Sequence, residues 1–286
     1  MKKPSRKTIN LFILIVLVII FGYVLSVVFQ KPLDGVLINF FDVGQGDAAL
    51  IKTPQGQTVL IDGGPDTAII SKIDQIIPFY KRRIDAVILT HPHSDHLSGL
   101  LAVVDSYEIK TFYLTGVIYG TPEYNELLTK LKENKIPVKS VVAGDRLMLS
   151  GGVELDFLFP YSSLQEKTVE NINNSSIVTR LSWDKSSALF MGDLEKEAQP
   201  GLNKELLKSN LLKVSHHCSA DAISRSFIGS VSPKYAVISV GKDNSFGHPS
   251  RTCLSLLKST QVFRTDQDGD IAFLMTKKSI TPIKLK

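Results

Sequence analysis

Leu89-Thr90-His91-Pro92-His93-Ser94-Asp95-His96-Leu97-Ser98-Gly99 sets three imidazoles and a carboxylate within six residues, 91–96. It follows the apolar positions Ile84, Ala86, Val87, Ile88 and Leu89, which read as a buried strand ending at a turn. Neutral imidazole nitrogens and aspartate oxygens are donors that zinc, and less often manganese or iron, accepts at about 2.0–2.2 Å. Pro92 stiffens the loop, so His91 and His93 can converge on one ion while Asp95 and His96 turn toward a second point. The spacing suits two divalent ions. All six histidines of the chain, at 91, 93, 96, 216, 217 and 248, fall at the ends of predicted strands beside turn residues. A random scatter of surface histidines would not do so.

Working outward, residues 36–43, 48–52 and 58–61 are apolar runs separated by the turns Gly44-Gln45-Gly46-Asp47 and Pro54-Gln55-Gly56, the opening of a β-meander. A helix is expected over 71–80 with Ile73, Ile76 and Ile77 inward. After the histidine loop another is expected over 97–107, burying Leu100, Leu101, Val103 and Val104. Strands near 111–114, 138–142 and 153–159, and a helix over 122–134 with Leu127, Leu128 and Leu131 inward, continue an alternation of β and α that fits stacked layers. Residues 161–176 read as a polar loop, and strands over 176–181 and 188–191 follow. Asp193 then reads either as a helix cap ahead of Leu194-Glu195-Lys196-Glu197 or as a carboxylate shared by two metals. A strand over 211–215 delivers His216 and His217. Adjacent residues leaving a strand point in opposite senses, so one is expected to bind metal and the other to face substrate. A helix over 222–228 and a strand over 235–240 lead to His248. Asp266-Gln267-Asp268-Gly269-Asp270 lacks the ligand order and trailing glutamate of a calcium loop and reads as a glycine turn between two strands.

His91-Pro92-His93-Ser94-Asp95-His96 resembles the HxHxDH signature of metallo-β-lactamase fold hydrolases. With Phe41-Asp42-Val43-Gly44-Gln45-Gly46-Asp47, Leu60-Ile61-Asp62-Gly63-Gly64, Met191-Gly192-Asp193, Lys213-Val214-Ser215-His216-His217 and Phe246-Gly247-His248-Pro249, the chain looks like the C-terminal hydrolase domain of the ComEC family of DNA-uptake proteins and its stand-alone relatives. That resemblance implies an α/β, four-layered αβ/βα sandwich, two Zn2+ or Mn2+ ions, and phosphodiester hydrolysis, as of one DNA strand during uptake. It favours His217 as metal ligand and His216 as the group facing the phosphate. The expected ligands are then His91, His93 and His217 for one ion, Asp95, His96 and His248 for the other, and Asp193 between them. Asp62 is either a plain turn residue or, as the resemblance implies, a carboxylate that orients a ligand histidine. The wider fold often places another metal histidine near 161–176, and this chain has Glu170-Asn171-Ile172-Asn173-Asn174-Ser175-Ser176 there instead, as ComEC-like members do. Asn173, Asn174 and Ser175 either contact substrate or metal or belong to a solvated loop, the favoured reading. Cys218 departs from the subfamily's usual glycine.

Residues 1–8 form a basic tail and 9–29 an apolar run of 21 residues, about 31 Å long as a helix, enough to span a hydrocarbon core. Lys2, Lys3, Arg6 and Lys7 precede it and Lys31 follows, so a single-pass anchor with a cytoplasmic N-terminus and an extracytoplasmic domain over 30–286 is expected. A signal peptide would have a shorter apolar region and a small-residue exit. Those four basic residues come out of 33 Lys and Arg; the remaining 29 stand against 28 Asp and Glu. The domain is therefore near neutral and lacks a strong electrostatic footprint for nucleic acid. Cys218 and Cys253 either pair or stay as buried thiols.

In such a site Asp95 is the candidate for orienting the attacking water and His216 for donating to an equatorial or departing oxygen. One predicted span cannot itself form a polytopic channel, so DNA work would need a channel partner. Two other classes stay open: hydrolysis of a small ester, lactone or β-lactam at the cell surface, and a non-catalytic accessory subunit of an uptake complex.

Overall fold

The computed structural model describes residues 5–28 and 34–284, and contacts divide the chain into two units, 1–33 and 34–286. Phe29, at the end of the expected span, and residues 1–4 of the basic tail lie outside the described residues.

The first unit is a helix, Arg6–Val28, that starts earlier than the apolar run because Ser5 Oγ accepts the Thr8 N–H at 3.2 Å and admits Arg6 and Lys7 to the first turn. From Ile9 to Val24 its aliphatic and aromatic side chains are exposed on every face. A helix apolar all round has no polar face to present to water. This one is long and apolar enough to cross a bilayer, a property signal sequences share.

The second unit has two facing sheets. One runs in the order Ile280–Ile283, Ile271–Met275, Val36–Phe40, Ala49–Lys52, Thr58–Ile61, Ala86–Ile88, Phe112–Leu114 and Val138–Ser140. The other runs Gln261–Arg264, Tyr235–Ile238, Leu211–Lys213, Ser186–Phe190, Val178–Trp183, Val153–Phe159 and Arg146–Leu149. Strand alternation sorts the side chains. Ile38, Phe40, Ile51, Val59 and Ile88 meet Leu155, Phe157, Leu181, Phe190 and Val237 between the sheets. Leu50, Leu60 and Val87 face outward onto Ile69, Ile73, Leu97, Leu100, Val103, Leu127 and Leu131 of the helices Ala68–Asp74, Ser94–Ser106 and Pro122–Glu133. Leu189, Leu212 and Ile238 of the second sheet pack on Phe227, Val231 and Cys253 of Arg225–Val231 and Arg251–Leu256. The layers are helix, sheet, sheet, helix.

Several elements depart from expectation. The helix after the histidines begins at Ser94 rather than 97, placing Asp95 and His96 on its first turn. Leu128 is exposed, and Tyr124 takes the inward position beside Leu127 and Leu131. The helix expected over 71–80 is Ala68–Asp74, with Pro78 opening a separate turn at Phe79–Lys81. That expected over 222–228 is shifted to Arg225–Val231, where Ser224 Oγ accepts the Phe227 N–H. The segment at 265–270 does join two strands, but they belong to different sheets, so it carries the chain from one sheet to the other.

Candidate metal centre

The site residues gather at the carboxyl ends of parallel strands in both sheets: Thr58–Ile61 beside Ala86–Ile88, and Ser186–Phe190 beside Leu211–Lys213 and Tyr235–Ile238. Such ends, where loops leave the sheets, are where α/β folds place ligands. Asp62 Oδ1 accepts the Thr90 N–H at 2.8 Å; Oδ2 accepts the Thr90 hydroxyl at 2.8 Å and pairs with His96 Nδ1 at 2.9 Å. This fixes the ring so that His96 Nε2, fully buried and without a hydrogen-bond partner, faces Asp193 Oδ2 at 3.4 Å and Asp95 Oδ2 at 3.9 Å. His91 Nε2 lies 3.0 Å from His93 Nδ1 and 3.8 Å from Asp193 Oδ2. Gly46 packs tightly against the backbone of the histidine stretch: a Cβ there would stand 2.3 Å from the Asp95 carbonyl oxygen.

His216, His217 and Cys218 have φ of 43°, 49° and 61°, a left-handed turn that non-glycine residues adopt rarely. The strand stops at Lys213, so this turn, and not strand alternation, sends the two imidazoles apart. His217 is buried, with Nδ1 donating to the Ser239 carbonyl at 2.9 Å and Nε2 3.1 Å from Asp95 Oδ2 and 3.7 Å from Asp193 Oδ2. His216 is partly exposed, with Nδ1 3.3 Å from Glu195 Oε1 and 3.3 Å from Ser219 Oγ. Cys218 and Cys253 form a disulfide. Ser250, whose Oγ caps the helix bearing Cys253 by accepting the Cys253 N–H at 3.1 Å, donates its own N–H to the Cys218 carbonyl at 2.8 Å.

Donor atoms within 4.8 Å of one another form the groups His91, His96, Asp193 and Asp95, His96, His217, with a third of Asp47, Asp62, His96. His217 therefore stands with Asp95 and His96, not with His91 and His93 as the sequence division had it. His93 is in contact with His91, and His248 has its ring 6.1 Å from His217 and 5.7 Å from His216, with Nδ1 buried and unpartnered. These two flank the groups and belong to none of them.

The asparagine-rich stretch is a buttress rather than a solvated loop. Asn173, Ser175 and Ser176 are buried. The Asn171 and Asn173 amides donate to the Glu195 carboxylate at 3.0 and 2.8 Å, Asn174 Oδ1 accepts the Glu195 N–H, and Ser176 Oγ accepts the Asp193 N–H at 3.0 Å. Sequence reasoning missed Glu195 as the partner of His216. It also missed Asp47, which bonds the buried Lys213 ammonium and lies 3.4 Å from His217 Nδ1. The signal was present, since Asp47 and Lys213 sit inside the quoted motifs, but it carried no role.

Burial opposes every charge here, and the charges persist through one another. Burial raises Asp193 and Asp95, yet His96 and His217 outweigh it and hold Asp193 well below the usual carboxylate range and Asp95 below it too. Burial lowers His96 and His217. Asp193, Asp62 and Asp95 nevertheless drive His96 well above an ordinary imidazole, and Asp193, Asp47 and Asp95 take His217 to about 10. Burial, with His96 adding, holds His91 well below its ordinary value. The carboxylates thus favour the protonated forms of His96 and His217, and divalent cations can supply that positive charge instead. The mixed nitrogen and oxygen donors and the unpartnered His96 Nε2 fit such ions.

Residues 41–242 match the metallo-beta-lactamase superfamily. The chain is 30% identical over 257 residues to ComE operon protein 3 of Bacillus subtilis, covering 82% of this chain and 32% of that protein. It is 25% identical over 260 residues to competence protein ComA of Neisseria gonorrhoeae, covering 89% of this chain and 34% of that one. The chain thus spans about a third of the length of these relatives. Among solved structures, the metallo-beta-lactamase fold protein YhfI from Bacillus subtilis superposes with a TM-score of 0.51 at 14% identity, covering 86% of this chain and 99% of that one. CmlA, a diiron β-hydroxylase from Streptomyces venezuelae, does so with 0.54 at 14% identity, covering 88% and 54%.

Proposed function

This chain belongs to the metallo-beta-lactamase superfamily, and from that premise we propose that it is a membrane-anchored hydrolase using two divalent cations, Zn2+ or Mn2+, to cleave DNA phosphodiester bonds beside a polytopic uptake channel. One observation supports the binuclear reading: Asp193 stands between the His91 and His217 sides, with Oδ2 3.8 Å from His91 Nε2 and 3.7 Å from His217 Nε2 and with Oδ1 buried and unpartnered, so its two oxygens could serve two cations. The choice of DNA rests on the motifs of this sequence that resemble the ComEC family of DNA-uptake proteins, and a competence protein is among the relatives.

His91, Asp95, His96, Asp193 and His217, which form the close groups, would hold the cations, and His93 and His248, which flank them, would complete the ligand sets. Bound there, divalent cations supply Lewis-acid polarisation of a phosphoryl oxygen and acidify water. The chain's own residues do the rest. Asp95, partly exposed on the first turn of Ser94–Ser106, orients the attacking water through its free carboxylate oxygen. His216, held by Glu195 at 3.3 Å, donates a proton toward the departing oxygen. Asp62 keeps His96 in one tautomer. The helix Arg6–Val28 would anchor the chain with its N-terminus in the cytoplasm, and the Cys218–Cys253 disulfide suits an oxidising compartment for the domain.

The test is metal content and hydrolysis on the full chain in detergent: elemental analysis, then single-stranded DNA, duplex DNA and bis(p-nitrophenyl) phosphate with Zn2+ and Mn2+, with His93→Ala as control. About two metals per chain and His93-dependent phosphodiester cleavage are expected. Metal binding with turnover only of lactams or carboxylic esters would replace the substrate, and a chain that binds no metal would overturn the reading.

A further inference from the structure

The histidine rings form a row of neighbours. His93 lies 4.7 Å from His91, His91 4.2 Å from His96, His96 5.6 Å from His217 and His217 6.1 Å from His248. An aromatic side chain stands at each end. Tyr119 meets His93 edge-on at 5.8 Å, partly buried against the helical side of the first sheet. Phe246 lies nearly parallel to His248 at 5.8 Å and 21°.

Phe246 is 68% exposed, and its loop holds it there. Asn244 Oδ1 accepts the N–H groups of Phe246 and His248 at 3.2 and 3.1 Å, while its amide donates to the carbonyls of Gly241 and His248 at 3.0 and 2.7 Å. The loop thus holds an exposed phenyl ring beside a polar site, a surface on which a planar ligand can stack. Resting on the phosphodiesterase reading above, we propose that Phe246 and Tyr119 are specificity-determining residues, on which nucleobases on either side of the scissile phosphate stack. An unpaired strand can offer a free base face, whereas a duplex hides its faces in its own stack. The near-neutral domain, with 29 basic residues outside the N-terminal tail against 28 acidic ones, leaves stacking rather than charge to hold the strand.

The test uses the full chain and a phosphorothioate-protected single strand carrying 2-aminopurine, whose fluorescence falls on stacking. The parent should quench it and bind it better than the matching duplex. Phe246→Ala and Tyr119→Ala should each weaken single-strand binding about tenfold, with Phe246→Trp retaining it. In hydrolysis, the parent's preference in KM for a normal single strand over an abasic one should shrink toward one in both alanine variants. Alanine variants that quench, bind and discriminate as the parent does, in a chain that cleaves phosphodiesters, would overturn this inference alone. A parent that cleaves no phosphodiester would overturn the functional reading and this with it.

Discussion

Asp62 holds Thr90 twice and His96 once, although as a turn aspartate at φ 58° it resembles many that do nothing. Asp62→Ala should cost about 1–3 kcal/mol by leaving buried donors unpaired, and should weaken Zn2+ binding about 10–100-fold by freeing the His96 ring. Denaturant unfolding and metal titration read the two effects separately; unchanged metal affinity would mean the ring is held by packing alone. The same cluster sets a pH dependence. His217 is raised from 6.5 to about 10, so its contribution to metal-free stability is full below 6.5 and lost as pH climbs through about 10. Asp193 and Asp95 are lowered from 3.8, so theirs is present above that value and lost as pH falls. Metal-free protein should melt progressively lower from pH 6.5 to 10, while Zn2+ affinity rises over that window as protons are displaced more easily. Melting curves with and without chelator check this; a metal-free midpoint that climbs with pH across the window would contradict it.

At the scale of elements, the left-handed turn at 216–218 needs a restraint because none of its three residues is glycine, which alone adopts that backbone freely. The disulfide to Cys253 and the Ser250 hydrogen bond supply it. Cys253→Ser should cost about 2–4 kcal/mol of stability and weaken metal binding; adding Cys218→Gly should restore the metal binding but not the stability. Zinc titrations on the three proteins decide it, and a Cys253→Ser chain with parental affinity would refute the restraint. Gly99 shows a similar dependence on close approach. A Cβ there would sit 2.0 Å from the Gly63 carbonyl oxygen, so Gly99→Ala should push the helix Ser94–Ser106 off the first sheet at about 1–3 kcal/mol, read by denaturant midpoint. The start of that helix was hidden in the sequence. Ser94, Asp95 and His96 carry no apolar period, and it is His93, extended at φ −71° and ψ 148°, that lets the backbone turn helical beneath its own ligands, with Asp95 favourably placed at the positive end. The asparagine stretch was equally opaque, because side-chain amides that bond a distant carboxylate have the composition of a solvated loop.

For the whole molecule, the functional reading requires the helix and the domain to lie in different environments. A tag fused before Met1 should stay protected in intact cells while added protease removes the domain; a domain protected until lysis would place it on the reducing side and contradict the topology.

Periodicity and donor order were determined by the sequence alone, because they follow from local rules of side-chain direction along strands and helices. That is why the layered alternation, the apolar N-terminal helix and the set of histidines with Asp193 are legible in the order of the residues. What only the tertiary structure decided is which donors meet. His217 reaches Asp95 across 122 positions, Lys213 reaches Asp47 across 166, and Cys218 finds Cys253 across 35. Those meetings depend on how two sheets pack and where their parallel strands end, and no local pattern encodes that geometry.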